Sequence, residues 1–226
     1  MNFHLITLFP EMCQAYTNMS VLGRAQKTKK GTGAKVRGKK ISVQYYNPRD
    51  FAENKHRKVD DSPYGGGPGM VMKAEPILRA WKKAVGLKRN THKIKTLIMS
   101  PRGTVFTQKL AQEYAQKYDH LVLICGRYEG IDARVGQFLD ADEISVGAYV
   151  LTGGELPALS IVDATARQVP GVLGAADSLE DNRATTGEVY TRPETIRFGK
   201  QERTVPTVFL TGNHAEITKR RSLGTS

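Results

Sequence analysis

The chain has 226 residues, 39% of them hydrophobic, enough for one packed domain and a small appendage. Its 34 basic residues against 22 acidic ones leave a net charge of +12, which points to a polyanionic partner, most directly a nucleic acid, or else to a solvated basic surface. No apolar run approaches the roughly 18 residues of a membrane span, no signal peptide is expected, and the two distant cysteines, Cys13 and Cys125, form neither zinc nor CxxC spacing, so a reducing cytoplasmic setting is expected.

Phe3–Phe9 is a near-continuous apolar run and predicts a strand buried on both faces. Pro10 closes it, and Glu11–Ala25 is expected to continue as a helix. Lys27–Lys40 holds seven basic residues, three glycines and no acid, and reads as a mobile loop, either a solvated insertion or a phosphate-contacting arm. Ile41–Tyr46 alternates as a strand. The run Val59-Asp-Asp-Ser-Pro-Tyr-Gly-Gly-Gly-Pro-Gly-Met70 lacks the Gly-Lys-Ser/Thr of a P-loop, so its glycines are read as serving tight packing or bending.

Helices are expected over Glu75–Val85, Thr107–Tyr118, Asp132–Leu139 and Ala158–Val169, and strands over Thr96–Met99, Leu121–Cys125 and Ile144–Leu151. This alternation predicts an α/β fold around a parallel sheet. Residues 175–188 lack an apolar period and read as a flexible linker. Residues 189–226 are too few to bury much alone. The expected organisation is therefore 1–174, a linker at 175–188, and a small C-terminal region at 189–226.

Three strand-to-loop junctions concentrate functional residue types: Leu97–Gly103, Leu121–Gly130 and Ile144–Pro157. Such loops at neighbouring strand ends would form a small-molecule pocket. The third has a short apolar stretch, Ala148–Leu151, between Gly147 and Gly153-Gly154, read as a buried strand whose flanking backbone comes close to a ligand or another segment. Gly126-Arg127-Tyr128-Glu129-Gly130 reads as a solvated turn or a site. Asp163 and Arg167 stand four apart on one helix and can pair. Asp181 falls in the linker, where a solvated acid is the default. His4, His56, His92, His120 and His214 show no metal-ligand spacing, and Cys125 is expected as a small core residue.

Six motifs occur in order: the glycine-rich run above, Cys125-Gly-Arg-Tyr-Glu-Gly-Ile-Asp132, Tyr149-Val-Leu-Thr-Gly-Gly-Glu-Leu-Pro157, Pro170-Gly-Val-Leu-Gly174, Tyr190-Thr-Arg-Pro-Glu194 and Thr211-Gly-Asn-His-Ala-Glu-Ile217. Together they closely resemble the bacterial tRNA (guanine-37-N1)-methyltransferases, the TrmD family of the SPOUT superfamily, from Phe9 to about Ile217. The resemblance implies an α/β SPOUT fold with a deep C-terminal trefoil knot, roughly residues 97–170, and a small, shortened C-terminal helical region. It implies a homodimer with active sites at the subunit interface.

The implied reaction moves a methyl group from S-adenosylmethionine to N1 of guanine 37 in a tRNA with guanine at positions 36 and 37. The resemblance assigns the general base to Asp181, stabilisation of charge on guanine O6 to Arg167, and a cofactor-side acid linked to a Mg2+ requirement to Glu129. It places the methyl donor against Pro101, Gly103, Gly126, Tyr128, Val146, Gly147, Ala148, Tyr149, Val150, Leu151, Gly153, Gly154 and Pro157. Three departures stand out. Ala148 occupies a usual aspartate position, the Lys27–Lys40 insertion is longer and more basic than usual, and the chain stops soon after Ser222-Leu223-Gly224. Two alternatives remain: a SPOUT methyltransferase for another RNA base, and a catalytically inactive RNA-binding relative.

Overall fold

A computed structural model describes residues 1–27, 29–30, 36–37, 40–86, 93–173 and 189–222. Most of the basic insertion, the linker with Asp181, and His92 lie outside the described residues. The strands are β1 (Asn2–Ile6), β2 (Lys29–Lys30), β3 (Val36–Arg37), β4 (Ser42–Tyr46), β5 (Asp60–Asp61), β6 (Val71–Met72), β7 (Ile94–Val105), β8 (His120–Ile124), β9 (Asp142–Ser145), β10 (Thr195–Phe198) and β11 (Gln201–Thr204). The α-helices are α1 (Pro10–Thr17), α2 (Ser20–Ala25), α3 (Ala74–Val85), α4 (Gln108–Lys117), α5 (Arg134–Leu139), α6 (Glu155–Gln168) and α7 (His214–Ser222). Two compact units result, Met1–Val172 and Leu173–Ser226.

The first unit is built on a five-stranded sheet of order β4-β1-β8-β7-β9. Every neighbouring pair in it runs parallel, as the strand–helix alternation predicts. A parallel sheet needs both faces covered, and β8 meets that condition at all of its residues, each buried. Leu121 and Leu123 join the core beneath α1, α2, α4 and α6, with Cys13, Leu22, Tyr114 and Ile161. Val122 and Ile124 point the other way, toward Ile77, Trp81 and Val135 of α3 and α5. The two-residue period of the strand thus sorts one apolar run into two cores.

Several expected elements change their bounds. The helix expected over Glu11–Ala25 is two helices, broken at Asn18–Met19, and Ser20 enters α2 at φ 49°. α2 then starts with the Gly23 amide bonded to Met19 O at 2.8 Å, and a Cβ on Gly23 would lie 2.1 Å from Asn18 O, so the turn closes there only on a glycine. The strand expected over Ile144–Leu151 ends at Ser145. Ser145 Oγ there donates to Gly147 O and accepts from Gly147 N, turning the chain away, and Val150 is 81% exposed. The apolar run read as a buried strand is an exposed loop.

In the second unit, β10 and β11 form an antiparallel hairpin in front of α7. It is a mixed hairpin-and-helix piece where a helical one was expected. All residues of the hairpin are exposed.

β7 runs past the point where its neighbours stop, and it does so through a bulge. Met99 and Thr104 both stand opposite Ile144, so residues 100–103 bow out between them. A Cβ on Gly103 would sit 2.3 Å from the Glu143 carbonyl carbon, so only glycine lets the two strands close again after the bulge. Gly103→Ala is expected to destabilise the protein by about 1–3 kcal/mol. The loss should be visible in urea unfolding and in faster hydrogen exchange at Ser145, whereas unchanged exchange there would show that the strands do not need the close approach.

Candidate functional site

Three chain segments leave the same edge of the sheet side by side: the β7 bulge at Ser100–Arg102, the turn after β8 at Gly126–Gly130, and the loop from Val146 to Gly154 before α6. Together they enclose a cleft of about 260 Å³, near the lower end for small-molecule sites. Four glycines, Gly126, Gly130, Gly153 and Gly154, bring main chain to its walls, beside apolar Ile144, Leu151 and Pro157, the Tyr128 and Tyr149 rings, Arg127 and one carboxylate, Glu129.

The third loop is pinned to the second by backbone contact. Gly154 N donates to Gly126 O at 2.9 Å. A Cβ on Gly154 would lie 2.7 Å from Cys125 Cα, so the segment passes its neighbour at a distance open only to glycine.

Below the cleft lies a buried charge pair. Glu155, the first residue of α6, is 1% exposed. Its Oε1 accepts from Thr7 Oγ1 at 2.8 Å, and Thr7 Oγ1 in turn accepts from Phe9 N at 2.9 Å. Its Oε2 lies 2.9 Å from Arg127 Nε. The N–H does not point along that line, so the contact is one of charge with no aligned hydrogen bond. Arg127 Nη1 donates to Thr152 O at 3.2 Å, and the guanidinium sits 4.5 Å over the Phe9 ring. One arginine therefore ties together the β1 end, the Gly126–Gly130 turn and the loop before α6.

Two thiols border this pair. Burial first, then the Glu155 charge, pushes Cys13 up to about 12 and Cys125 well above its ordinary value. Both stay protonated and inert at neutral pH, so neither is a nucleophile.

The cleft gathers most of the residues singled out from the sequence: Pro101, Gly126, Tyr128, Glu129, Val146, Tyr149, Val150, Leu151, Gly153, Gly154 and Pro157. Gly103, Gly147 and Ala148 do not line it. Gly103 serves the strand closure described above, Gly147 lies beneath the Tyr149 ring, and Ala148 is exposed. Arg167 stands near the far end of α6 and does not line the cleft, and Asp181 lies outside the described residues.

Glu129 is a lone carboxylate; among the described residues no group of three or more His, Cys, Asp or Glu side chains could hold a metal ion. Glu155 and Thr7 were not singled out from the sequence. Glu155 looks like an ordinary first-turn acid, and only burial reveals its role.

A second hollow, about 480 Å³, opens beside the first and shares Val146, Tyr149, Leu151 and Pro157 with it. Its outer wall carries Tyr16 of α1 and Leu156, Ser160 and Asp163 of α6. The Tyr16 hydroxyl donates to Asp163 and ties the two helices together. The surrounding surface is unusually apolar, with Phe9, Met12, Tyr16, Met19, Val150 and Leu156 each at least 40% exposed.

A backbone-lined cleft at the carboxyl ends of parallel strands marks a ligand-binding α/β protein of the enzyme type. Comparison with known proteins makes this specific. A family model for tRNA (guanine-1)-methyltransferase TrmD matches residues 1–225. A relative from Dictyoglomus turgidum is 46% identical over 221 residues, covering 96% of this chain and 82% of the relative. Relatives from Staphylococcus haemolyticus and Clostridioides difficile are 44% and 42% identical over 98% of this chain, and the match covers 84% and 90% of their own lengths. All three bear the name tRNA (guanine-N(1)-)-methyltransferase. The chain belongs to the TrmD family of methyltransferases.

Glu155→Ala leaves the Arg127 charge under the cleft without its partner. The expected loss is about 3 kcal/mol, at the low end for a broken buried pair because Arg127 keeps some solvent contact. Arg127→Met combined with Glu155→Met should lose less than Glu155→Ala alone in urea unfolding. A larger loss in the double variant would mean that the pair is not what holds the loops.

Proposed function

We propose that the protein transfers a methyl group from S-adenosylmethionine to N1 of guanine 37 in tRNA, next to the anticodon. The observation that carries the reading is the three-loop cleft, in a chain whose relatives are named for methylating tRNA guanine at N1. The cleft suits the donor: exposed backbone near Val146–Leu151 can pair with an adenine edge, apolar Ile144 and Leu151 can flank the ring, and Glu129 adds negative charge facing a cationic sulfonium. When bound, S-adenosylmethionine supplies an electrophilic methyl whose bonding electron pair returns to sulfur. Mg2+ fits only as an auxiliary ion, since Glu129 alone gives it one ligand.

Guanine N1 carries a proton and becomes a nucleophile only on losing it. In this reading Asp181 takes that proton and Arg167 holds the charge that spreads onto O6. An ordinary aspartate, with a pKa near about 3.9, is a weak base for the task. Excluding water from the base raises its proton affinity, and Arg167 lowers the cost of the guanine anion.

Arg167 lies ten positions beyond Pro157 on α6, about 15 Å of helical rise from the cleft. A homodimer with sites at the interface brings a second copy of α6 to each cleft. The exposed apolar surface on α1, α6 and the Val146–Gly154 loop supports that arrangement. The close passage of Gly154 against Cys125 and Met99 agrees with a trefoil-knot crossing. We place the protein in the cytoplasm, where its buried free cysteines stay reduced; among the described residues no helix is long and apolar enough to cross a membrane.

The test is incubation with labelled S-adenosylmethionine, Mg2+ and a tRNA transcript carrying guanine at 36 and 37, beside a transcript with adenine at 37. Label is expected only at N1 of guanine 37. Label on the adenine transcript would indicate another base, and bound donor without transfer would indicate a binding protein. Asp181→Ala and Arg167→Ala are each expected to lower turnover by about 100-fold or more while donor binding, by calorimetry, changes little.

Leu156→Glu is expected to convert the dimer to a monomer in light scattering and to abolish transfer. A monomeric but fully active variant would remove the interface from the mechanism.

A further inference from the structure

The glycine-rich run beside the cleft forms a projecting hairpin, and its chemistry is not used by the reaction above. β5 and β6 pair antiparallel through two residue pairs, Asp60 with Met72 and Asp61 with Val71. Asp61 anchors the pair, accepting Lys73 Nζ at 2.9 Å and Lys58 Nζ at 3.4 Å. The Lys73 bond first, then the Ser62 amide and Lys58, hold the Asp61 carboxyl at about 2. A depressed carboxylate pKa gives an anchor that is whole above the unfolded value near about 3.9 and is lost only as pH falls through the folded value. At neutral pH the Asp61 carboxylate is therefore charged and both lysine contacts are in place.

Its base is bonded to two residues of the cleft wall. Glu129 N donates to Met70 O at 3.0 Å, and Met72 N donates to Gly130 O at 2.9 Å. The Glu129 side chain lies directly over Gly69. At the tip, Gly65, Gly66 and Gly67 stand at positive φ with no atom within 4 Å of a Cβ position, so nothing packs on them. Tyr64 beside them is 100% exposed. A tyrosine ring with no protein contact area is an expensive use of an aromatic, whose buried surface is ordinarily its contribution.

Tyr64 is five residues from Gly69, so its backbone lies within about 17 Å of the cleft wall at full extension. Basic side chains precede Tyr64 in the chain, of which Arg57 and Lys58 meet Asp50 and Asp61 in exposed ion pairs at 3.6 and 3.4 Å that phosphates can compete for. The turn before β5 is Lys55-His56-Arg57-Lys58, exposed throughout. Asn54 fixes it, bonding Lys58 N and Lys58 O through its side chain at 2.7 and 3.0 Å.

We propose that this hairpin is an RNA-contacting ridge, with Tyr64 stacking on an unpaired base that flanks the nucleotide held in the cleft and the Lys55–Lys58 turn following the phosphates. An open π-face beside cationic side chains is the combination that holds single-stranded nucleic acid, and it accepts a base without reading its edge. Taking a base out of a loop for methylation unstacks its neighbours, and an aromatic face at the rim replaces part of that stacking. The proposal rests on the tRNA methyl-transfer reading and adds the element that grips the substrate beside the reacting base.

The test uses the full chain and the guanine-37 transcript. Tyr64→Ala should raise the KM for tRNA roughly 5- to 100-fold, the range for removing one base stack, and leave the KM for the methyl donor unchanged. Tyr64→Phe keeps the π-face and should stay within about twofold of the parent. In Tyr64→Trp, added transcript should quench the new indole. The one native tryptophan, Trp81, is buried and bonded to Thr96 Oγ1, so the parent protein supplies the baseline. Lys55→Ala with Arg57→Ala should flatten the log–log salt dependence of tRNA affinity, its slope falling by about one for each phosphate no longer neutralised. An unchanged tRNA KM in Tyr64→Ala, or an unquenched indole, overturns the ridge while parent activity leaves the enzyme reading standing. A parent that transfers no methyl to any tRNA overturns the enzyme reading instead, and the ridge falls with it.

Discussion

The constraint on which the site depends is the contact between the loop before α6 and the turn after β8. Gly154 passes Cys125 and Gly126 at a separation that excludes any side chain, and directly beneath it Glu155 faces Arg127. Backbone contact alone would let the loops slide, because one amide–carbonyl bond contributes only about 1 kcal/mol net. The buried charge pair removes that freedom. Parting the loops would strand Glu155, which has no water to turn to, and Arg127 is held by Thr152 and Phe9 as well. Attraction is only part of the effect: two buried ions lose most of the hydration they give up unless they meet in one arrangement, so the pair selects a geometry even where it adds little to net stability.

From that fixed floor the rest of the cleft follows with little further expense. The β7 bulge needs only Gly103 to rejoin β9, and four glycines bring main chain to the walls. Ala148 takes no part in lining the cleft, and its side chain is exposed.

The fold was legible in the sequence wherever burial is two-sided. The runs that became β1 and β8 are apolar apart from Asn2, His4 and His120 because both faces meet a core, and α3 shows its inward stripe at Ile77, Trp81 and Val85. Legibility failed where an apolar run is exposed. Tyr149-Val150-Leu151 has the composition of a buried strand, yet it bounds two hollows and stands in solvent. Pattern alone cannot separate residues buried by their own chain from residues left for a ligand or partner to cover. The break after Thr17 failed for another reason: no proline or glycine stands at it, and the glycine it depends on, Gly23, lies one turn later, where it passes against Asn18 O. Glu155 was missed because an acid in a first helical turn has a sufficient explanation in the helix dipole, and its partner is 28 positions earlier in the chain.

The placement of the two kinds of recognition has a physical logic. The methyl donor is small and has to be held in one pose, which suits a cleft walled by sheet-anchored backbone. The polyanion is large, and an excess of +12 attracts it from a distance, but long-range attraction carries no register. Register has to come from short-range contacts fixed relative to the cleft. Among the described residues of the first unit, the hairpin at Asp60–Met72 meets that requirement directly, because the same strand of backbone that carries its exposed tip also bonds Glu129 and Gly130 in the cleft wall. The hydrogen bonds at Met70 and Met72 tie the hairpin base to Glu129 and Gly130, whereas charges elsewhere on the surface raise only the local concentration of RNA.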